Sequence, residues 1–286
     1  MKKRVDLLKL GAQYLNAEGI ISARREAEIL LCYVLDCPRI ELYLDNLVVK
    51  EESSLYYRGL LAARAKGFPL QYLVGSTEFM GLRFKVRPGV FIPRPETEVL
   101  VETVLNYLSF TFHGQPNILD IGTGCGNIAI SIAKNLKKAY IFACDISNSA
   151  LQLTKENSDL NKVRIKLVQS NLFSAFKKKR IFSLIVSNPP YIDSGEIDRL
   201  PLELHYEPRL ALDGGESGLS YYAKIIHQAP AYLKDDGLVI MEVGDNQAAL
   251  VRRLFEQSQA FSLVETVKDY NNIERVIVAR KINSHG

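Results

Sequence analysis

A predicted β-strand at residues 182–187 ends in the sequence Asn188-Pro189-Pro190-Tyr191. Two consecutive prolines remove two backbone N–H donors and fix φ twice, which makes the loop stiff and leaves its carbonyl groups free to accept hydrogen bonds. The side-chain oxygen of Asn188 and the carbonyl group of Pro189 can each accept an N–H from a planar NH2 group, while Tyr191 packs on its flat face. We therefore predict that Asn188, Pro189, Pro190 and Tyr191 form a catalytic loop for an amide or an exocyclic amine.

A glycine-rich sequence, Gly122-Thr123-Gly124-Cys125-Gly126, lies where another predicted strand is followed by a helix. Glycines at such a turn let the backbone approach a ligand, which binds at the carboxyl ends of the strands in open α/β sheets. The GxGxG spacing differs from the GxGxxG that seats a pyrophosphate, and the carboxylate of Asp120 repels phosphate. Asp145, at the end of the next predicted strand, is placed to accept hydrogen bonds from a ribose. These features favour a cationic ligand that carries hydroxyl groups.

S-adenosylmethionine has these properties, because it carries a ribose diol, an amino group and a sulfonium but no phosphate. An amide nitrogen is a poor nucleophile, since its lone pair is delocalised into the carbonyl group. Two acceptors that orient the NH2 group, on Asn188 and Pro189, would aim that lone pair at the sulfonium methyl group. Catalysis would then come from electrostatics and from proximity, with nitrogen and methyl carbon about 3 to 3.5 Å apart, and no general base would act before transfer.

The elements that must position these motifs follow from hydrophobic periodicity. Residues 4–66 carry apolar side chains at helical spacing, and Gly19 and Pro38 end successive stretches, which predicts a small helical bundle. Residues 75–90 form two short extended pieces around Gly81, a pattern typical of a β-hairpin. We predict a helical substrate-docking domain at residues 1–73, a β-hairpin linker at residues 74–92 and a catalytic domain at residues 93–286.

Within the predicted catalytic domain, short apolar runs alternate with helical stretches. This alternation is typical of a parallel sheet covered by helices on both faces, so the predicted fold class is α/β. The strand candidates are residues 117–121, 140–146, 164–169, 182–187 and 238–243. Two further runs, residues 261–267 and 274–281, lie close together in sequence and predict an antiparallel hairpin at the sheet edge.

The glycine loop and the Asn188–Tyr191 motif together resemble those of class I S-adenosylmethionine-dependent methyltransferases that modify planar amino groups. The segment Phe91-Ile92-Pro93-Arg94-Pro95-Glu96-Thr97-Glu98 looks like the signature of the peptide chain release factor glutamine methyltransferases, the PrmC/HemK family. Residues 70–75 and 274–276 are also similar to that family, so the likeness covers nearly the whole chain. The resemblance implies N5-methylation of the glutamine in the GGQ motif of class 1 release factors. It also implies a Rossmann-like, seven-stranded sheet that is mostly parallel, with the last strand antiparallel.

The resemblance implies further site residues. For the substrate these are Asn188, Pro189, Pro190, Tyr191, Arg94 and Glu96, and for S-adenosylmethionine they are Asp120, Gly122, Thr123, Gly124, Cys125, Gly126, Asp145, Asn171, Leu172 and Asn188. Near the adenine the family often has an acidic residue where this chain has Asn171, an amide that both donates and accepts. For Arg94 and Glu96 a purely structural role, in helix-start packing and an ion pair, fits the sequence as well as substrate binding does, and both alternatives stay open. Residues 207–209 and 213–215 also match the family and predict a loop near the substrate.

Other functions fit parts of the pattern. A nucleic-acid amino-methyltransferase, for instance one acting on N6 of adenine, would use the same loop on a flipped or single-stranded base. The chain shows no basic, aromatic-rich module for that task, and the basic run 177–180 is typical of a solvated turn. A glutamine methyltransferase for a ribosomal protein shares the Asn188–Tyr191 motif but is disfavoured by the intact segment 91–98. A binding protein on this fold would have lost part of a motif, and the glycine spacing disfavours an NAD-dependent oxidoreductase.

The composition is that of a globular protein, with 286 residues, 47% apolar and 24% charged residues and a net charge of +4. The surplus lies in residues 1–90, which hold 14 Lys and Arg against 10 Asp and Glu, and is too small to indicate nucleic-acid binding. The four cysteines form no CxxC pair and the four histidines are scattered, so we expect neither a metal site nor a disulfide frame. No signal sequence or apolar run of membrane-spanning length is seen, so we expect a cytoplasmic protein away from membranes. We expect a monomer whose partners are class 1 release factors and not nucleic acid.

Overall fold

The protein divides into two compact units. The computed structural model describes residues 2–44, 47–111 and 114–283. The first unit contains Met1–Ser76 and Pro201–Tyr206, and the second contains Thr77–Leu200 and Glu207–Gly286. A short segment from the second half of the chain therefore belongs to the first unit.

The first unit is a helical bundle. Its helices are α1 (Arg4–Ala17), α2 (Ala23–Leu35), α3 (Glu41–Leu44), α4 (Glu51–Ala65) and α5 (Leu70–Val74). Ala27, Leu30 and Leu31, which lie at helical spacing on α2, are fully buried in its core. The segment Pro201–Tyr206 packs on the same bundle, because the hydroxyl group of Tyr206 donates to the carbonyl group of Lys66 at 3.2 Å. The apolar periodicity of the sequence thus identifies the helices, and a distant segment completes the unit.

A β-hairpin leads into the second unit. Its strands are β1 (Ser76–Phe79) and β2 (Leu82–Lys85), and its two-residue turn is Met80-Gly81, with φ values of 51° and 68°. Positive φ at both central residues matches the twist of hairpin strands, and glycine adopts it without strain. Phe79 and Phe84 bury their rings edge to face in the core of the second unit.

The second unit contains a seven-stranded sheet with the strand order β5-β4-β3-β6-β7-β9-β8. All neighbouring strands pair in parallel except β9, which is antiparallel to both β7 and β8. The strands are β3 (Asn117–Ile121), β4 (Tyr140–Asp145), β5 (Lys166–Gln169), β6 (Phe182–Ser187), β7 (Leu233–Glu242), β8 (Phe261–Lys268) and β9 (Glu274–Lys281). The helices are α6 (Glu98–Thr111), α7 (Asn127–Asn135), α8 (Asn148–Leu160), α9 (Arg209–Leu212), α10 (Ser220–Gln228) and α11 (Ala248–Ser258). The predicted fold class, including the antiparallel last strand, is confirmed.

The strand β7 is longer than the sequence predicts. It begins at Leu233 and not at Leu238, because Leu233 pairs with Phe182 of β6 across an irregularity in the register. Residues 234–236 are Lys-Asp-Asp and are exposed, so their polarity conceals the extension of the strand. The prediction of this boundary from apolar residues alone is therefore wrong.

Apolar side chains fill both faces of the sheet. One cluster includes Ile118, Leu184 and Ile240, and the other includes Leu119 and Ile185, all fully buried. The chain runs outward from β3 through β4 to β5 and then returns to place β6 on the other side of β3. The loops after β3 and β6 therefore leave the carboxyl ends of these neighbouring strands in opposite directions. Open α/β sheets bind ligands at such a switch point.

Candidate active site

A cavity of about 260 Å3 lies at the carboxyl ends of β3, β4, β5 and β6. This volume is close to the lower end of the ~300–1,000 Å3 range of small-molecule sites. The predicted site residues on its wall are Gly122, Thr123, Gly124, Cys125, Asp145, Asn171, Leu172, Asn188, Pro189, Pro190 and Tyr191. Those away from the wall are Asp120, Gly126, Arg94 and Glu96. The glycine loop and the Asn188–Tyr191 motif thus line the same cavity.

The glycine loop follows β3 and has the left-handed backbone that glycine permits. Gly122, Gly124 and Gly126 have φ values of 74°, 57° and 86°. A Cβ atom added at Gly122 or Gly124 would meet no protein atom within 4 Å, so the space beside these two residues is open to a ligand. A Cβ atom at Gly126 would lie 2.7 Å from the side chain of Thr154, so this glycine lets the loop pack on α8.

Asp145 ends β4 and faces the same cavity. One carboxylate oxygen accepts the backbone N–H of Gly124 and the other accepts that of Ser147, each at 2.9 Å. Burial raises the pKa of Asp145 above its ordinary value, and these backbone hydrogen bonds oppose that rise. Each carboxylate oxygen keeps a lone pair with which it can accept a hydroxyl group of a ligand.

Asp120 lies behind the glycine loop and not on the cavity wall. Its side chain is fully buried, and one oxygen accepts the hydroxyl group of Thr123 at 2.7 Å. The other oxygen has no hydrogen-bond partner within the described part of the chain. Burial, together with the nearby charge of Asp145, raises the pKa of Asp120 to about 7, and the hydrogen bond from Thr123 opposes that rise. The structural role of Asp120 is therefore to hold Thr123, which itself lines the cavity.

Asn171 and Leu172 follow β5 and line the cavity wall. Leu172 has a φ value of 51°, which is strained for a bulky side chain. Its carbonyl group accepts the hydroxyl group of Ser170 at 2.8 Å and the thiol of Cys144 at 3.6 Å, and these contacts hold the strained turn. Asn171 is exposed, so its amide group is accessible to a ligand in the cavity.

The catalytic loop predicted from the sequence follows β6. The hydroxyl group of Ser187 donates to the carbonyl group of Ile121 at 2.8 Å and ties this loop to the end of β3. The side-chain nitrogen of Asn188 donates to the hydroxyl group of Thr97 at 3.2 Å, which leaves its oxygen to accept from a ligand. Burial raises the pKa of Tyr191 to about 12, so its hydroxyl group is neutral at physiological pH.

The loop around Asp213 supports the catalytic loop from outside. The backbone of Ile192 donates to Leu212 at 3.0 Å and accepts from Gly214 at 2.7 Å. A Cβ atom at Gly214 would lie 2.8 Å from the carbonyl oxygen of Pro190, so only glycine allows this approach. The sequence indicated that residues 213–215 belong near the substrate, and the structure gives them a supporting role. In the sequence these residues were recognised by their match to the family, which did not reveal their role.

Arg94 forms an ion pair with Glu207, whose second oxygen accepts the backbone N–H of Ile92 at 2.9 Å. The guanidinium group also lies 4.8 Å from the centre of the Phe91 ring. Of the two alternatives left open by the sequence, substrate binding and a structural role, the structure shows the structural ion pair for Arg94. Its partner, Glu207, comes from the second family-like segment, so the two segments meet here.

Sequence reasoning missed several residues. Leu210, Tyr221 and Lys224 line the cavity, and Thr97 and Glu242 lie buried beside Asn188. A glutamate that ends a buried apolar strand was the available signal for Glu242. No group of His, Cys, Asp and Glu that could hold a metal is present in residues 2–44, 47–111 and 114–283, and His113 and His285 lie outside them. In that same part of the chain, no helix is long and apolar enough to cross a membrane.

Comparison with known proteins agrees with this geometry. Residues 6–75 match the family model described as the PrmC N-terminal domain, and residues 81–202 match the methyltransferase small domain. The release factor glutamine methyltransferase of Thermodesulfovibrio yellowstonii is 40% identical over 91% of this chain and 93% of its own. The chain belongs to the release factor glutamine methyltransferase family. The resemblance predicted from the motifs is thereby confirmed.

Other relatives agree with this family membership. The family member from Geobacter sulfurreducens is 40% identical over 93% of this chain and 93% of its own. Among solved structures, a methyltransferase from Pyrococcus furiosus is 17% identical, with a TM-score of 0.53, over 72% of this chain and 91% of its own. At that identity the likeness concerns the fold alone.

Proposed function

We propose that this protein transfers the methyl group of S-adenosylmethionine to the N5 amide nitrogen of the glutamine in the GGQ motif of class 1 peptide chain release factors. The observation that carries the proposal is the single cavity that both Asp145 and Asn188 face. Membership of the family supports the proposal, because the chain matches curated release factor glutamine methyltransferases over nearly their whole length.

The residues on the cavity wall fit S-adenosylmethionine. The open space beside Gly122 and Gly124 admits a ligand against the backbone, and Asp145 has lone pairs left for the ribose hydroxyl groups. Asn171 offers an amide group that can both donate to and accept from the edge of the adenine. When bound, S-adenosylmethionine supplies an electrophilic methyl group on a sulfonium.

The catalytic loop would hold the glutamine side chain. The side-chain oxygen of Asn188 and the carbonyl group of Pro189 would each accept one N–H of the substrate amide, while the ring of Tyr191 packs on its face. The amide nitrogen forms a bond to the methyl carbon as the sulfur–methyl bond breaks, and it then loses one proton to solvent. Holding the reacting atoms in line converts a bimolecular step into an intramolecular one, which is worth up to about 7–11 kcal/mol.

A labelling experiment tests the function. The purified protein is incubated with methyl-labelled S-adenosylmethionine and a class 1 release factor, beside the same factor with its GGQ glutamine changed to alanine. We expect label in the unmodified factor only, and equal labelling of the two factors would reject the proposal. Parallel reactions with ribosomal proteins and with single-stranded DNA and RNA test the alternative functions, each of which predicts label there.

We further propose that the helical unit docks the release factor, and that the protein acts as a cytoplasmic monomer. The unit exposes apolar side chains, among them Ile21 and Leu55, which are 103% and 57% exposed. Apolar side chains that are exposed in the free protein can be buried against a protein partner, which is favourable. Ile21→Ser and Leu55→Ser should raise the KM for the release factor and leave the Kd for S-adenosylmethionine unchanged, and an unchanged KM would contradict the docking role.

A further inference from the structure

The carboxyl group of Glu242 is buried next to the catalytic loop. The parallel register of β6 and β7 pairs Ser187 with Met241. The next residues along the two strands, Asn188 and Glu242, therefore lie side by side at the carboxyl ends of these strands. Glu242 is only 2% exposed and does not belong to the cavity wall, whereas Asn188 does. Glu242 therefore lies beside the catalytic asparagine without reaching the space where a substrate would bind.

Thr97 lies between these two side chains and the start of α6. It ends a short turn at Pro95–Thr97 and is 1% exposed. Its hydroxyl group accepts the side-chain N–H of Asn188 at 3.2 Å. Thr97 and Asn188 both lie against the carboxyl group of Glu242 as hydrogen-bonding neighbours that lower its pKa, whereas burial, the larger effect, raises that pKa to about 7.

This arrangement distinguishes the two ends of the Asn188 side chain. A primary amide has a donor end and an acceptor end, and the proposed reaction requires the acceptor end to face the substrate. An ionised carboxylate only accepts hydrogen bonds, so Glu242 favours the NH2 end of Asn188 on its own side. In the reverse orientation the oxygen of Asn188 would face the carboxylate, and its NH2 group would meet the NH2 group of the substrate.

The buried carboxyl group of Glu242 is only partly compensated by its neighbours. Its Oε2 atom has no hydrogen-bond partner within the described part of the chain. Arg275 lies near enough to lower the pKa of Glu242, but its guanidinium group pairs with Asp245 at 2.7 Å and with Asp269 at 3.2 Å. A buried carboxyl group without an ion pair costs stability, so a role in the site accounts for it better than a contribution to folding.

We propose that Glu242 is a positioning residue for methyl transfer, which acts through Thr97 and the side-chain nitrogen of Asn188 to present the oxygen of Asn188 to the substrate amide. The inference rests on the proposed glutamine methylation. Glu242 touches neither substrate nor cofactor in this scheme, because it lies off the cavity wall. Its effect is therefore on the fraction of Asn188 side chains that have the productive orientation.

The variant Glu242→Gln tests this role with little change of shape. An amide at position 242 can present either a donor or an acceptor to Asn188, so it no longer selects one orientation. We expect kcat to fall about 10- to 100-fold, while the KM for the release factor and the Kd for S-adenosylmethionine stay within about threefold. The Tm should stay the same or rise, because an unpaired buried carboxylate is removed. Glu265→Gln on β8, which loses a carboxylate bound to Tyr107, is the matched control and should retain the parent kcat.

A double-mutant cycle separates positioning from an independent effect. In the Asn188→Ala background, Glu242→Gln should cause no further loss of kcat, because the group it orients is gone. Thr97→Val should lower kcat as Glu242→Gln does, and Thr97→Ser, which keeps the hydroxyl group, should restore most of it. A full additional loss in the Asn188→Ala background, or the parent kcat in Glu242→Gln, would overturn the inference. If the parent protein labels no release factor at all, the proposed function itself fails.

The pH profile of kcat gives a further readout. A protonated Glu242 can donate to the oxygen of Asn188, so kcat should rise with pH through the Glu242 pKa of about 7. Among the residues that the structure describes, the other charged or titratable groups facing Glu242 are Glu96, Arg275, Tyr191 and Tyr222. Burial raises the pKa of Tyr191 to about 12 and that of Tyr222 well above its ordinary value, and acidic neighbours raise that of Arg275. The rise should be absent in Glu242→Gln and present in Glu265→Gln, and its persistence in Glu242→Gln would contradict the inference.

Discussion

The carboxylate of Asp145 accepts the backbone N–H of Gly124 at 2.9 Å and so joins the end of β4 to the loop that follows β3. Asp145 also accepts the backbone N–H of Ser147, which starts the turn into α8. One side chain therefore fixes the shape of the glycine loop and faces the cavity that the loop lines. The proposed cofactor site depends on this hydrogen bond for its shape as well as on the carboxylate for its ligand contacts.

Asp145→Asn should weaken S-adenosylmethionine binding about 10- to 100-fold, because hydrogen bonds to a charged group are worth about 1.5–3 kcal/mol. The amide keeps only one acceptor oxygen for two backbone N–H donors and a ribose. Isothermal titration calorimetry measures the change, and the KM for the release factor should not move. Asp159→Asn, which removes an exposed carboxylate paired with Lys155, is the control. Parent affinity in Asp145→Asn would contradict the role given to Asp145.

Asn188→Ala should lower kcat about 10²- to 10³-fold, the range seen when one hydrogen-bonding group that stabilises a transition state is removed. The Kd for S-adenosylmethionine should rise but stay measurable, because Asp145 and the glycine loop remain. Single-turnover labelling of a release factor measures the rate. A rate equal to that of the parent protein would show that Asn188 does not orient the substrate amide.

Much of the fold and of the cavity could be predicted from local sequence. The bounds of β3, β6 and β9 match the predicted strands, because each has apolar residues at its centre and a polar residue or glycine at or directly after its carboxyl end. Asp145 was predicted at the end of its strand for the same reason, and the glycine loop and the catalytic loop follow directly from strand ends. Site residues whose positions depend on their neighbours in the sequence could therefore be predicted.

Residues fixed by long-range pairing were missed. Glu242 comes beside Asn188 only through the register between β6 and β7, which no local pattern specifies. Asp120 was expected to face the ligand, but its burial behind Thr123 depends on how the loop closes over the sheet. The segment Pro201–Tyr206 joins the helical unit through distant contacts, one of them from Tyr206 to Lys66.

Gly214→Ala should displace the catalytic loop. The new Cβ atom would lie 2.8 Å from three backbone atoms, which belong to Pro190, Tyr191 and Gly218 and cannot rotate away. Overpacking of this kind costs about 1–3 kcal/mol, so we expect a lower Tm together with a kcat at least about 10-fold lower. Gly195→Ala meets only a side-chain oxygen at 3.2 Å and is the control for the same substitution. If Gly214→Ala has the kcat and the Tm of the parent protein, the loop around Asp213 accommodates the new methyl group without displacing the catalytic loop.

Asp120 should make the protein less stable as the pH rises. Burial raises its pKa in the folded protein from 3.8 to about 7, so between these values the folded chain keeps a proton that the unfolded chain has lost. The free energy of unfolding therefore falls with rising pH in this window, by at most about 1.4 kcal/mol per pH unit, and is independent of this group above it. Burial also raises the pKa of Glu242 to about 7, so this group makes the free energy of unfolding fall over the same pH range. A substitution of Asp120 alone should therefore remove only part of the pH dependence.

Asp120→Asn isolates the contribution of this carboxyl group, because an amide does not titrate. Urea unfolding of the parent protein and the variant, without added ligand, gives the free energy of unfolding at a series of pH values from about 5 to 8. As the pH rises, the free energy of unfolding of Asp120→Asn should increase relative to that of the parent protein, whatever the difference between them is at pH 5. Asp159→Asn, at an exposed position, should show no such trend. A difference that is constant across the range would mean that Asp120 ionises as readily in the folded protein as in the unfolded chain.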